Sequence, residues 1–408
     1  MPVNLSEPKQ SDLLPVAGIQ LGISSAGIKI VGRPDLVLIQ LDEGTVTSAV
    51  YTKNAFCAAP VTLAKQHQKQ AMPRYLLINS GNANAGTGEQ GLVAANLCCQ
   101  AIAELTDVTN HSVLPFSTGV IGQALPVEKI TQVLPDAFSK LASDNWFAAA
   151  HAIMTTDTVA KAFSRQLEID GKTITVTGIA KGSGMIRPDM ATMLSYIATD
   201  ASIEQSVLDA MLFNAIEQSF NRITVDGDTS TNDACVLMAT GKAGNTAITD
   251  LDSVDAQRVY QVIAQISQQL AHAIVRDGEG ATKFIEIDVI QGKDTEECRQ
   301  VAYTIAHSPL VKTALFASDP NWGRILAAVG RSGINDFDLS KVSIFLGNIC
   351  IVDGGQPAKE YTEEQGQQVM SQDEITIKVE LGRGNAQDTV WTCDFSYDYV
   401  KINAEYRT

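Results

Sequence analysis

Short segments rich in β-branched and apolar residues follow one another along this chain without a helix between them, and this pattern constrains the fold most. Leu36–Leu41 is followed closely by Val46–Tyr51. Arg165–Ile169 and Thr173–Thr177 are joined by an Asp-Gly pair, which is typical of a tight hairpin. Strands that are joined by such a hairpin turn pair in antiparallel fashion. The pattern therefore predicts antiparallel or mixed sheets and disfavours a regular alternation of strands and helices.

The helices are predicted as long, separate runs. Residues 254–276 place Val259, Ile263 and Leu270 on one face at helical spacing. A capping box of Ser202 and Gln205 is predicted to begin another helix. Residues 1 to about 20 are expected to be loosely ordered. Together these signals predict an α/β layered sandwich, with mixed or antiparallel sheets between helices in an αββα-like arrangement.

Composition excludes several classes of protein. The 408 residues are 45% hydrophobic, which is enough for more than one core. The net charge of -16 disfavours nucleic-acid binding. The sequence has no run of about 18 apolar residues, so no membrane span is predicted. The N-terminus lacks the basic and apolar regions of a signal peptide, and none is expected. The seven cysteines form no Cys-x-x-Cys pair, so a reducing, cytoplasmic setting is expected.

A glycine-rich stretch, residues 86–91, matches the pattern G-x-G-x-x-G and opens a predicted helix. One interpretation is a dinucleotide site, in which backbone amides face a pyrophosphate. However, several residues separate Gly86 from the preceding strand, and Glu89 would place a negative charge near the phosphates. The favoured interpretation is a loop whose glycines allow a neighbouring element to approach the backbone.

Metal and serine-hydrolase chemistry receive no support from the sequence. Residues 226–233 resemble a calcium loop, but they lack its central glycine, and Leu237 stands where the bidentate glutamate belongs. A network of turns formed by Asp, Asn, Ser and Thr side chains is predicted instead. A second version of this prediction is a buried polar network near a functional site. The five histidines show no paired spacing, and no Gly-x-Ser-x-Gly elbow occurs. We therefore predict no metal site.

Thr192 is the candidate nucleophile, although its pattern alone leaves two interpretations open. It lies in a short apolar run after a turn that contains two glycines and Pro188. It is either a β-branched residue of a half-buried strand or a nucleophile that is released by cleavage of the Ala191–Thr192 bond. An N-terminal threonine carries its own base, because its α-amine has an unperturbed pKa of about 7.7–8.0. Ala191 is small, as such a cleavage favours.

Several ordered motifs decide between these interpretations. The chain resembles the glutamate N-acetyltransferase / ornithine acetyltransferase family of bacterial arginine biosynthesis from about Pro15 to Thr408. The motifs that carry the resemblance are residues 117–122, 154–158, 181–186 with 190–194, 227–233, 278–283, 311–316 and 318–324. Agreement of this many motifs in one order is highly specific.

The resemblance implies a self-cleaving enzyme with an N-terminal nucleophile. Cleavage between Ala191 and Thr192 would give an α chain, 1–191, and a β chain, 192–408, assembled as a heterotetramer of two α and two β chains. Thr192 would be the nucleophile, and the Thr118 hydroxyl and the Gly119 amide would form the oxyanion hole. The implied substrate-binding residues are Thr155, Lys181, Thr192, Glu279, Asn403 and Thr408. No cofactor is implied, and acetyl-CoA stays open as a co-substrate.

The implied reaction transfers an acetyl group from N2-acetyl-L-ornithine to L-glutamate in two steps. An ammonium such as that of Lys181 suits an α-carboxylate, and Glu279 suits an amine. One rival is a self-processing aminopeptidase or amidohydrolase, which would release its acyl group to water. The other is an uncleaved metabolite-binding protein.

Overall fold

The computed structural model describes residues 2–187 and 193–405. Within these residues the strands are β1 (Ile19–Ser24), β2 (Leu36–Leu41), β3 (Val46–Tyr51), β4 (Tyr75–Asn82), β5 (Val113–Val120), β6 (Lys161–Ile169), β7 (Lys172–Lys181), β8 (Leu194–Thr199), β9 (Ala234–Ala239), β10 (Phe284–Gly292), β11 (Ser343–Leu346), β12 (Ile349–Asp353), β13 (Gln356–Pro357), β14 (Glu374–Glu380) and β15 (Ala386–Cys393). The α-helices are α1 (Ala59–Gln68), α2 (Gly88–Thr106), α3 (Val127–Ser139), α4 (Trp146–Ala152), α5 (Gln205–Glu217), α6 (Val254–Arg276), α7 (Thr295–Ala306), α8 (Pro309–Phe316), α9 (Trp322–Gly330), α10 (Glu363–Met370) and α11 (Tyr397–Ala404).

The predicted hairpin and several predicted bounds are confirmed. Strands β2 and β3 and helix α6 have the predicted ends, and β6 pairs with β7 in antiparallel fashion. Order begins earlier than expected, because a short 3-10 helix spans Gln10–Asp12 and Leu13 and Val16 are buried before β1 starts. Four α-helices in the described residues were not predicted from the sequence, namely α1, α8, α10 and α11.

The predicted capping box of Ser202 and Gln205 is wrong. Helix α5 begins at Gln205, and its N-cap residue, Glu204, makes no side-chain cap bond. The segment before the helix is extended instead: Ile203 forms a parallel bridge with Ile248, whose amide donates to the Ser202 carbonyl oxygen. Because that pairing fixes an extended backbone at residues 202 and 203, the helix starts after it.

The larger of two compact units contains Glu7–Asn221 and Asp228–Ile274. It has two mixed sheets, with strand orders β1-β2-β4-β5 and β3-β9-β8-β7-β6. A shared core, which includes Phe116 from the first sheet and Tyr196 from the second, lies between them. This arrangement buries one face of each sheet against the other.

Helices cover the outer faces of both sheets in this unit. Residues of α2 and α3 join a second core on the outer face of the first sheet. Helix α5 packs on β3, and α6 comes so close to β7 that a Cβ at Gly178 would lie 2.9 Å from Ile266. The predicted αββα layering is therefore confirmed for the larger unit.

The smaller unit contains Met1–Ser6, Arg222–Gly227 and Val275–Thr408. Its six-stranded sheet has the order β13-β12-β11-β14-β10-β15. Only the pairing of β10 with β14 is parallel among the described pairings of this sheet. Helices α7 and α9 contribute to its core. The predicted division into chains 1–191 and 192–408 concerns a covalent break, and it stays a prediction.

Two general features of the described residues bear on the setting. All seven cysteines are free. No helix in the described ranges is long and apolar enough to cross a membrane.

Candidate active site

Thr118 and Gly119 lie at the end of β5, in the first sheet of the larger unit. Strand β5 runs parallel to β4, with Ser80 opposite Thr118 and Gly81 opposite Gly119. The register shifts between Gly81 and Asn82, so the ladder is irregular where these residues lie. Irregularities of this kind redirect side chains and are frequent near active sites. Thr118 is buried, with 8% of its surface exposed.

Gly119 occupies a position that admits no side chain. Its φ is +132°, a conformation that other residues rarely adopt. A Cβ there would also lie 2.6 Å from the Asn82 amide nitrogen and closer still to the Gly81 backbone. The close approach of β4 to β5 at this point therefore requires glycine.

We expect Gly119→Ala to lower the melting temperature more than Gly122→Ala does. Gly122 also has a positive φ, +80°, but a Cβ there would meet nothing within 4 Å. Gly122→Ala therefore carries only the backbone cost, about 1–2 kcal/mol, whereas Gly119→Ala adds overpacking worth about 1–3 kcal/mol. Thermal melting followed by circular dichroism measures both. Equal losses in the two variants would contradict the collision at Gly119.

Lys181 ends β7, in the second sheet, and its side chain reaches the first sheet. The Lys181 Nζ donates a hydrogen bond of 3.2 Å to the Thr118 Oγ1. A hydroxyl that accepts a hydrogen bond still has its own proton to donate. A charged donor polarises such a hydroxyl, so the contact prepares Thr118 to donate to a developing negative charge.

Thr155 follows α4 and is held to the same region by Asp157. The Thr155 amide donates to the Asp157 Oδ2 at 3.0 Å. The Asp157 Oδ1 accepts from the Gly182 amide and from the Lys161 Nζ, each at 2.7 Å. Asp157 therefore joins the loop of Thr155 to the residue that follows Lys181.

A further contact closes a ring around Thr118. The Ser80 hydroxyl donates to the Ala152 carbonyl oxygen at 2.7 Å, and Ser80 lies opposite Thr118 in the parallel ladder. The contacts thus run from Thr118 through Lys181, Asp157 and the segment 152–155 back to the neighbour of Thr118. This ring brings Thr118, Gly119, Thr155 and Lys181 together.

Two buried carboxyl groups in this region have pKa values that are shifted in opposite directions. Burial would raise the pKa of Asp157, but the ammonium groups of Lys161 and Lys181 hold that pKa well below its usual value. Burial raises the pKa of Asp233 well above its usual value, and Ser230 and Lys181 only partly offset this. Asp157 is therefore ionised at neutral pH, whereas burial favours the protonated form of Asp233. The Asp233 Oδ2 has no hydrogen-bond partner within the described ranges.

The predicted polar network is confirmed for residues 229–233. The Asn232 side-chain amide donates to the carbonyl oxygens of Ala83, at 2.5 Å, and of Ser117, at 2.9 Å. Thr52 and Asn54 bind the backbone of the same loop at Ser230 and Thr229. Because Ser117 precedes Thr118, the network supports the end of β5.

The glycine-rich stretch 86–91 is closely packed, as in the favoured interpretation, although its residues from Gly88 onward already form the first turn of α2. The Asn84 side chain donates to the Gly91 carbonyl oxygen at 2.9 Å and accepts from the Thr87 hydroxyl at the same distance. A Cβ at Gly91 would lie 2.7 Å from the Asn84 Oδ1. Gly91 therefore allows these side chains to approach the first turn of α2.

In the smaller unit, Glu279 and Asn403 are in contact. The Asn403 Nδ2 donates to the Glu279 Oε2 at 2.8 Å. Glu279 is buried, whereas Asn403 is exposed on α11. The structure thus brings together two predicted substrate-binding residues that are 124 positions apart.

The C-terminal segment that carries Asn403 is tied to the strand region of the smaller unit. Asp394 accepts hydrogen bonds from the amides of Thr282 and Lys283, at 2.8 and 2.9 Å. The buried Lys312 donates to the Thr392 hydroxyl at 2.8 Å and lies 4.6 Å from the centre of the Phe395 ring. The tail is therefore held by packing up to α11, as a functional C-terminus requires.

Three of the predicted site residues, Ala191, Thr192 and Thr408, lie outside the described residues, and all the assigned roles stay predictions. The residues that the sequence left without a role are Asp157, Lys161, Asn232 and Asp233. A signal existed for Asp157, Asn232 and Asp233, because they lie inside recognised motifs, and Lys161 follows Asp157 four positions later.

Comparisons with known proteins place the chain close to one family. The model of the ArgJ family matches residues 20–408. The arginine biosynthesis bifunctional protein ArgJ of Pseudomonas syringae pv. tomato is 59% identical over 396 residues, which cover 97% of this chain and 98% of the relative. The protein of that name from Methylococcus capsulatus is 56% identical over 405 residues, covering 99% and 98%. A crystal structure of arginine biosynthesis bifunctional protein argJ from Bacillus halodurans has a TM-score of 0.50 and 41% identity, covering 52% of this chain and 99% of that chain.

Proposed function

Because this chain belongs to the ArgJ family, we propose that it transfers an acetyl group from N2-acetyl-L-ornithine to L-glutamate in arginine biosynthesis. The observation that carries the proposal is the contact of Lys181 with the Thr118 hydroxyl. It places a polarised hydroxyl donor next to a glycine whose close packing fixes the backbone. Such an arrangement suits the stabilisation of an oxyanion in acyl transfer.

In the proposed mechanism Thr192 is the acetyl carrier. Its Oγ attacks the acetyl carbonyl carbon, and its α-amine takes the hydroxyl proton. The negative charge on the carbonyl oxygen is stabilised by the Thr118 hydroxyl and the Gly119 amide. The carbon–nitrogen bond then breaks, the proton passes to the leaving nitrogen, and ornithine departs. The glutamate amine attacks the acetyl-Thr192 ester, which yields N-acetylglutamate and restores the threonine hydroxyl and its amine.

We propose that Thr192 becomes N-terminal by self-cleavage into chains 1–191 and 192–408, which assemble as two α and two β chains. The solved Bacillus halodurans chain supports the cleavage, because 99% of its length corresponds to only 52% of this chain. A separate product of one precursor would have such a length. A cytoplasmic location is supported by the seven free cysteines.

Lys181 and Glu279 have the charges that these substrates require. Ornithine and glutamate each carry an α-carboxylate, for which the Lys181 ammonium is a suitable partner. The buried Glu279 carboxylate would attract a substrate amine. Acetyl-CoA is a second candidate donor, because its thioester presents the same acetyl carbonyl to Thr192, and we propose no other cofactor.

The test is an incubation of the purified protein with N2-acetyl-L-ornithine and L-glutamate. We expect ornithine and N-acetylglutamate in equal amounts, measured by mass spectrometry. Release of acetate without N-acetylglutamate would overturn the proposal in favour of a hydrolase. No reaction together with a single uncleaved chain would favour a metabolite-binding protein.

Glu279→Gln is expected to raise the KM for the amine-bearing substrates roughly 10- to 100-fold, since a hydrogen bond to a charged group contributes about 1.5–3 kcal/mol. The glutamine Oε1 can still accept from the Asn403 Nδ2, so the fold of the segment should persist. Steady-state kinetics with varied glutamate measures the change. An unaltered KM would remove Glu279 from substrate binding.

A further inference from the structure

We propose that Asp157 is a positioning residue that fixes Thr155 and Lys181 for the substrate, so that the Lys181 ammonium can meet the substrate's α-carboxylate. The inference rests on the proposed function for the identity of the substrate that Thr155 and Lys181 would bind. Asp157 itself would not touch the substrate.

The geometry gives Asp157 control over two separate backbone segments. Its Oδ2 accepts from the Thr155 amide at 3.0 Å, and its Oδ1 accepts from the Gly182 amide at 2.7 Å. Thr155 lies in the loop after α4, and Gly182 follows the last residue of β7. One planar carboxylate therefore sets the distance between these segments. A displacement of either would move Thr155 or Lys181 relative to Thr118.

Lys161 keeps the Asp157 carboxylate ionised in a buried place. The side chains of Asp157 and Lys161 are both fully buried, and their ion pair measures 2.7 Å. Lys161 is held independently, because β6 pairs with β7 and Lys161 lies opposite Ala180. A protonated carboxyl would lose acceptor capacity toward the two backbone amides. The ion pair thus preserves both contacts.

Asp157 also attracts the ammonium group that faces Thr118. Lys161 and Lys181 both lower the pKa of Asp157, so its carboxylate attracts both ammonium groups. Lys181 is half-buried and donates to the Thr118 hydroxyl, so this attraction acts on the side chain that reaches the first sheet.

Asp200 offers a matched control within the same sheet. It is also buried, and its Oδ1 accepts a backbone hydrogen bond of 2.7 Å from the Thr175 amide. Strand β8 begins at Leu194, which pairs with Lys181. Asp200 follows the last residue of β8 and so lies at the opposite end of the strand. Asp200→Asn therefore disturbs the same type of interaction away from the segment that carries Lys181.

The experiment compares wild type, Asp157→Asn, Asp200→Asn and the double variant Asp157→Asn/Lys161→Met. Intact mass is measured first, so that rates refer to cleaved protein. We expect Asp157→Asn to raise the KM for glutamate and to lower kcat/KM about 10²-fold, the effect of a misplacement of about 1 Å. Asp200→Asn should lower the melting temperature and leave KM unchanged. The double variant, which also removes the buried Lys161 charge that faces Asp157 in the wild type, should recover melting temperature but not KM.

Binding separates this inference from the proposed function. Calorimetry with L-ornithine should show weaker binding to Asp157→Asn than to wild type and Asp200→Asn. A wild type that binds ornithine but transfers no acetyl group would overturn the proposed function, whereas weakened binding to Asp157→Asn would still support the inference. If Asp157→Asn loses only melting temperature, with KM and ornithine affinity like those of Asp200→Asn, the positioning role is overturned.

Discussion

Thr192→Ala is expected to remain one chain of 43.6 kDa and to transfer no acetyl group. Without the hydroxyl nothing attacks the Ala191 carbonyl, so the α-amine that serves as base is never formed. Both the nucleophile and its base would thus be lost through one substitution. A denaturing gel and the intact mass report cleavage, and the acetyl-transfer assay reports activity.

Thr192→Ser is the matched control, because serine keeps the hydroxyl and loses only a methyl group. We expect this variant to cleave itself and to retain measurable transfer. The predicted role would be refuted by an alanine variant that yields two chains or acts at the wild-type rate. An N-terminal sequence that begins at a residue other than Thr192 would refute the cleavage position itself.

Thr118→Val should reduce kcat by roughly 10²–10³-fold, as loss of one oxyanion donor does, which corresponds to about 2.7–4 kcal/mol. Valine replaces the hydroxyl with a methyl group of similar size, so the volume filled at the buried end of β5 is kept. The loss would also remove the acceptor for the Lys181 Nζ. Single-turnover acetylation of Thr192, followed by mass spectrometry, measures the step directly.

The control for this variant is Thr118→Ser, which keeps both the donor and the acceptor of the hydroxyl. We expect it to acetylate at a rate close to that of wild type. If Thr118→Val acetylates as fast as Thr118→Ser, Thr118 has no place in the oxyanion hole. An equal melting temperature for the two variants shows that the kinetic difference is chemical.

The spacing of apolar residues predicted helices and strands well where the pattern was long or strongly apolar. The ends of α6 were predicted because its apolar face recurs over more than six turns. Helix α8 is short, although Ser308 and Pro309 supply a start signal that could have revealed it. The capping box failed because the pairing of Ile203 with Ile248, 45 positions away, overrides the local preference.

The sequence by itself determined the layered α/β class and, through its ordered motifs, the family and the candidate residues. Only the tertiary structure decided which of those residues meet. Lys181 and Thr118 are 63 positions apart and come together because β5 and β7 belong to sheets that bury a common core. The position of Asp157 between Thr155 and Gly182 depends on the same packing. Periodicity reports only how each segment buries its own apolar face, so such contacts between segments leave no local pattern in the chain.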